Sequence, residues 1–419
     1  MSYVDEEMMA RHDDRDDAAA MAGVSLGSDA WRRLRRDPIA MLSLGVLVTI
    51  SVLAFLTPML PLQPPDKDMT RLQYQPPHLW PLFEKTFNID WPAIERTPAD
   101  LRKARDELGG AQSLLASLRR AASHNEQAIA DAEQLVERKE NVLADITQHP
   151  YRQVGYPNLN ALNRWMVRVR YHLFGEWSLQ SIAGRDEFGR DLLSRVCWGA
   201  RISLIVGIVA TLVSLLIGVT YGAVAGYVGG WVDDLMMRIV DVLYSIPFIF
   251  IVIFIITILS QEDVKFQLLR WGIDRITIFF FVVGSIYWLT MARVVRGQVI
   301  SLKTEPFVEA ARAIGVSQTR IIARHIFPNL VGIVIVYLTL TIPSVMLFEA
   351  FLSFLGLGVE PPDVSWGLLA NEGIKVLTPV KIYWWLIVFP SLALGITLFA
   401  LNFLGDRLRD ALDPKLIGR

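Results

Sequence analysis

Residues 202–232 read ISLIVGIVATLVSLLIGVTYGAVAGYVGGWV, with no Asp, Glu, Lys or Arg anywhere in the run. Crossing the hydrocarbon core of a bilayer takes about 20 mostly apolar residues. Charge-free runs also cover 38–65, 242–261, 276–292, 326–348 and 382–405. One such run could be the buried helix of a large soluble core; so many in one chain predict an all-α membrane protein with six transmembrane helices. The run at 276–292 is the shortest and needs residues from its flanks. The composition agrees, with 53% of residues hydrophobic and 20% charged.

The first run starts too far into the chain and is too long for the apolar part of a cleaved signal, and it has no small-residue cleavage site, so it reads as a retained span. Lys and Arg near span ends set orientation. Arg32, Arg33, Arg35 and Arg36 precede the first span, and Arg407, Arg409, Lys415 and Arg419 follow the last. Arg293, Arg296, Lys303, Arg312, Arg320 and Arg324 lie between the fourth and fifth. Six crossings bring these three groups to one side, which predicts a multi-pass protein in contact with lipid, with both termini cytoplasmic. A net charge of -1 argues neither for nor against nucleic acid, because the distribution matters more than the sum, and no nucleic-acid partner is expected. One cysteine, Cys197, excludes a disulfide framework within the chain.

The chain divides by composition. Residues 1–30 hold an acidic stretch from Asp5 to Asp17 and read as a disordered cytoplasmic tail. Residues 31–60 are the first span with its basic flank. Residues 61–183 form an extracytoplasmic segment that opens rich in proline and aromatics, from Pro64 to Pro92. Within it, 98–148 changes character. Leu101, Leu108, Leu115, Ala122, Ile129, Val136 and Leu143 repeat at seven, and Ala104, Ala111, Leu118, Asn125, Ala132, Lys139 and Ile146 form a weaker companion row. One helix of about 70 Å is one reading. A helical, coiled-coil-like insertion folded as an antiparallel hairpin, broken at Gly109-Gly110 or near 123–125, is favoured. It either binds a partner or is a spacer. Residues 184–405 make up the core with five further spans, and 406–419 a cytoplasmic tail. The stretch 184–201 reads as an amphipathic surface helix leading into the second span.

Chemistry-bearing motifs are scarce. No lysine follows a glycine, so there is no phosphate-binding P-loop. The cores of the runs carry no ionisable group, where an ion-coupled carrier keeps one. Spans without such groups need energy from elsewhere, or run downhill. Glu349 borders the fifth run, where a carboxylate either lines a translocation path toward the outer face or caps a helix end. Most informative is 298–329, a polar, basic loop between two apolar runs. Glu309-Ala310-Ala311-Arg312-Ala313-Ile314-Gly315 predicts a short helix ended by Gly315. A second short helix is expected from about Ser317, as its N-cap, to Phe327. The pair would make a cytoplasmic knob.

At these residues the sequence resembles a known family. Glu-Ala-Ala-x-x-x-Gly at 309–315, followed by His325-Ile326-Phe327-Pro328-Asn329, is similar to the cytoplasmic loop of permease subunits of bacterial ABC importers. Gly189-Arg190-Asp191, Gly199-Ala200-Arg201-Ile202-Ser203, Leu352-Ser353-Phe354-Leu355-Gly356-Leu357-Gly358, Ser365-Trp366-Gly367 and Leu404-Gly405-Asp406-Arg407 resemble the dipeptide/oligopeptide branch, and its C-type subunit fits best. The likeness covers about 30–60 and 180–417; the insertion departs from the pattern.

That resemblance implies a type I importer architecture. A second permease subunit completes a heterodimer, two ATPase subunits bind below, and a substrate-binding protein docks outside. Glu309, Ala310, Ala311, Arg312, Gly315, His325 and Pro328 would couple the chain to an ATPase subunit, while Glu349 and Trp366 are candidates for the pathway near the outer face. The chain itself is expected to hold no catalytic residue, metal or cofactor, with ATP and magnesium on the partner ATPase subunits. Peptides are the expected cargo. Nickel or another non-peptide cargo in the same family, or a membrane-anchored scaffold using 98–148, are the alternatives.

Overall fold

The computed structural model describes residues 26–85, 97–120, 126–148, 151, 154–157, 159–259, 261, 264, 275–359, 361 and 363–412. The readings made for the acidic stretch before residue 26, for Trp91 and Pro92, and for Lys415 and Arg419 lie outside them. In chain order the elements are α1 (Leu26–Arg36), α2 (Pro38–Leu56), β1 (Phe83–Lys85), α3 (Thr97–Arg120), α4 (Glu126–Gln148), α5 (Ala161–Phe174), β2 (Trp177–Leu179) and α6 (Leu192–Val228). There follow α7 (Gly230–Ser245), α8 (Phe248–Leu259), α9 (Arg275–Leu302), α10 (Pro306–Ala313), α11 (Gln318–Ile321), α12 (Phe327–Phe354), α13 (Trp366–Lys375) and α14 (Trp385–Leu412). Two compact units divide them: Met1–Ile50, Ile205–Glu349 and Gly395–Arg419 form one, and Ser51–Leu204 with Ala350–Leu394 the other.

Among the described residues, five helical stretches are long and apolar enough to cross a membrane: Pro38–Met59, Leu192–Val228, Thr277–Leu302, Gln318–Phe354 and Trp385–Leu412. The expected third span, 242–261, is not one straight helix. Its apolar residues fall on a broken pair, α7 and α8, bent by 83°. Pro247 lacks an N–H and disfavours helix at the residue before it, and Ile246 is extended at φ -84 and ψ 127. Counted as one crossing, the pair brings the total to six.

The basic flank of the first span is also more structured than expected. It folds as α1, which starts at Leu26, inside the stretch read as tail, and buries Ala30 and Leu34. Asp37 then breaks the helix and caps the next one. Its Oδ1 accepts the N–H groups of Ile39 and Ala40 at 2.9 and 3.2 Å, with Pro38 at the first helical position.

In the first unit, helix packing rests on small residues. Lipid tails give apolar side chains no net reason to leave them, so spans associate by close van der Waals fit. Gly218, Gly222 and Gly226 recur at four on α6 and face α9. A Cβ at Gly222 would stand 2.4 Å from the carbonyl oxygen of Ala292. Below this stripe the Lys303 ammonium donates to the Gly226 carbonyl at 3.1 Å, at the C-terminal end of α6, where helix carbonyls lack partners and cations are favoured.

In the second unit, α3 and α4 lie side by side. Ion pairs Glu107–Lys139 and Arg119–Glu133, each at 2.6 Å, run the two helices antiparallel. Gly109-Gly110 stays helical, and the alternative break near 123–125 lies outside the described residues. The seam is the row that looked weaker. Ala104, Ala111 and Ala132 are buried, whereas Leu108, Leu115, Ile129 and Val136 are half-buried. Small side chains let two helix backbones close, and the larger row then flanks the contact. The helices are joined in this unit by one short two-stranded antiparallel ribbon, β1 with β2, pairing Phe83 with Leu179 and Lys85 with Trp177.

The stretch 184–191 is not an amphipathic helix. It is a tight loop of buried charge ahead of α6. Asp186 accepts from Arg190 Nε at 2.7 Å and Arg195 Nη1 at 2.8 Å, and from the backbone N–H of Phe188 and of Arg190 at 2.9 Å. Arg195 also reaches Glu372 on α13, and Arg190 reaches Asp66 at 3.0 Å. Asp191 caps α6 by accepting the Ser194 N–H at 3.0 Å and takes the Ser181 hydroxyl at 2.8 Å. Alternating charges mimic an exposed helix in sequence; here Asp186, Arg190 and Arg195 pair with one another and with Asp66 and Glu372, and Arg185 is held by Gln63, Gln75 and the Gly189 carbonyl.

Candidate functional site

The polar stretch between the fourth and fifth spans is almost wholly helical. The expected loop limits, 298–329, shrink from both ends. α9 runs on to Leu302, and the second short helix is not separate: α11 passes through a π-helical turn, Ile322–Ile326, into α12. Ser317 does occupy the N-cap position, at φ -64 and ψ 147, but its side chain makes no capping bond. What remains distinct is α10, with a tight turn on each side.

Its start and stop are local. Pro306 sits in the first turn, where a missing N–H costs nothing. At the other end the Gly315 N–H donates to the Arg312 carbonyl at 3.0 Å and the Val316 N–H to the Ala311 carbonyl at 3.1 Å. This is the paired-bond Schellman stop, and it needs a left-handed residue. Gly315 supplies that with φ +79.

α10 has two faces. Val308 and Ala311 are buried in a cluster with Val219, Tyr227, Val299, Ile321, Ile326 and Leu330, drawn from α6, α9, α11, the π-turn and α12. Any push on α10 is therefore delivered to three membrane helices through packed side chains. The opposite face carries Phe307, Glu309, Ala310, Arg312 and Ile314, all exposed. Ile314 is 81% exposed, a high value for a large apolar side chain.

Of the residues singled out from sequence, Glu309, Ala310, Arg312, Gly315 and Pro328 are exposed around α10 and the start of α12. Ala311 is buried and belongs to the anchoring face. His325 is half-buried, its ring 6.5 Å from that of Phe307. The guanidinium of Arg312 lies 5.9 Å from the ring centre of Tyr227 on α6. Phe307 and Ile314 were missed. Helical phase gave no signal for them, since Phe307 lies four residues before buried Ala311 and Ile314 three after it.

Glu349 is elsewhere. It lies on α12, about 30 Å along the helix from Pro328 at ~1.5 Å per residue, and is fully buried, five residues before the helix ends at Phe354. Trp366 is 2% exposed. Its ring N–H donates to the Val196 carbonyl at 2.9 Å and its backbone N–H to the Ser203 hydroxyl at 3.2 Å. It locks the start of α13 to α6 and presents no free face.

Comparison with known proteins bears directly on this arrangement. The family model described as "binding-protein-dependent transport system inner membrane component" matches residues 218–418, which include the whole of α10 and its buried cluster partners from Val219 onward. A second, the N-terminal TM domain of oligopeptide transport permease C, matches 25–77. The oligopeptide transport system permease protein OppC of Salmonella typhimurium is 50% identical over 249 residues, covering 57% of this chain and 77% of that protein. This chain belongs to the binding-protein-dependent transport inner-membrane components.

The permease is also 39% identical to OppC of Bacillus subtilis over 275 residues, 66% of this chain and 82% of that one. It is 44% identical to the glutathione transport system permease protein GsiD of Shigella flexneri serotype 5b over 243 residues, 58% and 74% of the two chains. Among solved structures, an inward-facing MetNI methionine ABC transporter covers 52% of this permease at a TM-score of 0.39 and 17% identity. Neither family model reaches residues 78–217, which hold the α3–α4 hairpin.

Proposed function

We propose that this permease is one half of the membrane pathway of an ATP-driven importer for di- and oligopeptides or related peptide-like cargo. Its partners are a second, different permease subunit, two ATPase subunits and a substrate-binding protein outside the membrane. ATP and magnesium act on the ATPase subunits, and α10 receives the resulting motion. The observation that carries this reading is the division of α10 into an outward ridge, Phe307, Ala310 and Ile314 beside Glu309 and Arg312, and an inward face fixed to α6, α9 and α12. An apolar ridge edged by charge suits insertion into a groove of a soluble partner. A helix seated on several spans can move them as a rigid body.

Peptide cargo is supported by the similarity to oligopeptide and glutathione transport permeases. The basic ends of α1, α9 and α14 support an orientation with α10 and both termini in the cytoplasm, which leaves the α3–α4 hairpin outside. The test is Glu309→Trp. It should leave the chain in the membrane but abolish co-purification of ATPase subunits and peptide uptake. Normal uptake with normal ATPase association would sink the coupling role.

A further inference from the structure

Helix α5 is apolar on two sides. Its inward face buries Met166, Val167 and Tyr171. Arg170 is buried with them, and its guanidinium donates to the carbonyls of Gly175 at 3.1 Å and Trp177 at 3.0 Å, which ties the helix to β2. The outward face should then be polar if it met only water. Instead Leu162, Trp165 and Leu173 are 49%, 57% and 63% exposed, with half-buried Val169 between them. At three, four and four residues apart, these four side chains share one narrow arc of the helix. Arg168 and His172, both exposed, border that arc one turn apart. No acidic residue occurs between Ala161 and Phe174.

The position of α5 says what meets this second face. It packs against the single turn Thr57–Met59, which directly continues α2. That turn is where the first span, Pro38–Met59, leaves the apolar layer. The span is sparsely covered by protein, with 17% of its apolar window buried, and Val52, Leu53 and Phe55 in its last turns are exposed. A helix held at this level, with a Trp- and Leu-bearing face edged by cations and free of carboxylates, matches the chemistry of a lipid headgroup layer.

We propose that α5 is an interfacial anchor whose Leu162–Trp165–Val169–Leu173 face is immersed in the lipid headgroup layer beside the exit of the first span. Arg168 and His172 then point toward lipid phosphates. The anchor fixes the depth of the ribbon and of the loop that opens α6, both of which are joined to α5 within the same unit.

Nitroxide accessibility tests this. Cys197 is replaced by Ser, and single cysteines are placed at Leu162, Trp165 or Leu173 of the full chain. With the subunits that co-purify, the chain is reconstituted into liposomes of phosphatidylethanolamine and phosphatidylglycerol. The ratio of oxygen to nickel-chelate accessibility should lie several-fold above that of a label at the water-facing Lys103. A ratio equal to that at Lys103 would overturn the proposal by placing the face in water. Exclusion of both agents would overturn it by placing the face under a protein partner. Because all three positions are exposed, the labels should not disturb folding, and circular dichroism of each variant checks this.

Discussion

Arg296 on α9 holds Asp233 on α7 at two points, with Nη2 2.7 Å from Oδ2 and Nε bonded to Oδ1. The clasp joins one arm of the broken span to the helix that carries the buried end of α10's contacts. Bidentate guanidinium–carboxylate pairs combine charge with fixed geometry. Asp233 is largely buried and Arg296 about one-third exposed, so loss of the carboxylate removes both charge-assisted bonds and leaves a partly solvated cation behind. Asp233→Ala should cost about 2 kcal/mol. Arg296→Lys should recover little, because an ammonium cannot make both bonds. Melting of the detergent-purified chain in a double-mutant cycle reads the coupling, and additive losses would remove the clasp from the account.

A second prediction concerns how α10 ends. A Cβ at Gly315 meets no neighbour within 4 Å, so the only obstacle to a side chain is φ +79. Gly315→Ala should cost about 1 kcal/mol, and Gly315→Asn less. The readout is hydrogen exchange at the Val316 amide, which donates across the stop to Ala311. It should quicken roughly fivefold in the Ala variant. Unchanged exchange would mean that the stop does not depend on the left-handed residue.

Asp191 gives a pH signature. Burial pushes its carboxyl up from the usual aspartate range to about 6, against the lowering effect of the Ser181 hydroxyl and the Ser194 amide. A carboxyl with a raised folded pKa binds its proton more tightly folded than unfolded, so folding stability falls as pH rises. The window runs from about pH 4, where unfolded aspartate ionises, to about 6. The total is about 3 kcal/mol at ~1.4 kcal/mol per pH unit. Asp191→Asn has no such term, so the variant should gain on the native chain between pH 4 and 6 and hold a constant lead above 7. A difference in melting temperature that ignores pH would refute this.

The spans were readable because the bilayer imposes length and charge exclusion directly on sequence, as in 202–232. The stop at Gly315 was readable for the same local reason: only a few residue types accept its backbone geometry. The buried charge loop at 184–191 was not. Arg185, Asp186, Arg190 and Asp191 alternate as they would on a wet helix, and only contacts with Gln63, Asp66 and Glu372, more than a hundred residues away, make them interior. The 83° break at Pro247 was hidden because charge-free runs report apolar content and not direction. On α10, Glu309 and Arg312 were singled out by the motif that they share with the family, while Ile314 was passed over because exposure of an apolar side chain is decided by where its neighbours pack.

The α3–α4 hairpin makes a separable prediction. Ala104 and Ala111 on α3 and Ala132 on α4 are its buried residues. Ala111→Leu should overfill the seam and cost about 1–3 kcal/mol, visible as lower helicity of the insertion. Deletion of 98–148 should leave membrane insertion and ATPase-subunit association intact. Loss of either would show that the insertion supports the core.

Ile314 separates stability from coupling most cleanly. It is 81% exposed, so Ile314→Ser removes almost no buried surface from the chain. If α10 stands free, the variant behaves as the native chain in every respect. If α10 seats in a partner, Ile314 is the most exposed apolar group on its outward face and enters the groove first, and truncation should weaken ATPase-subunit association by roughly tenfold or more. The matching control is Val308→Ala on the inward face. It should lower melting temperature through lost packing, by about 1–3 kcal/mol, before it touches association. Measuring melting and subunit binding for both variants gives opposite patterns under the coupling model. A single shared pattern, with both variants merely unstable, would mean that the exposed ridge has no partner.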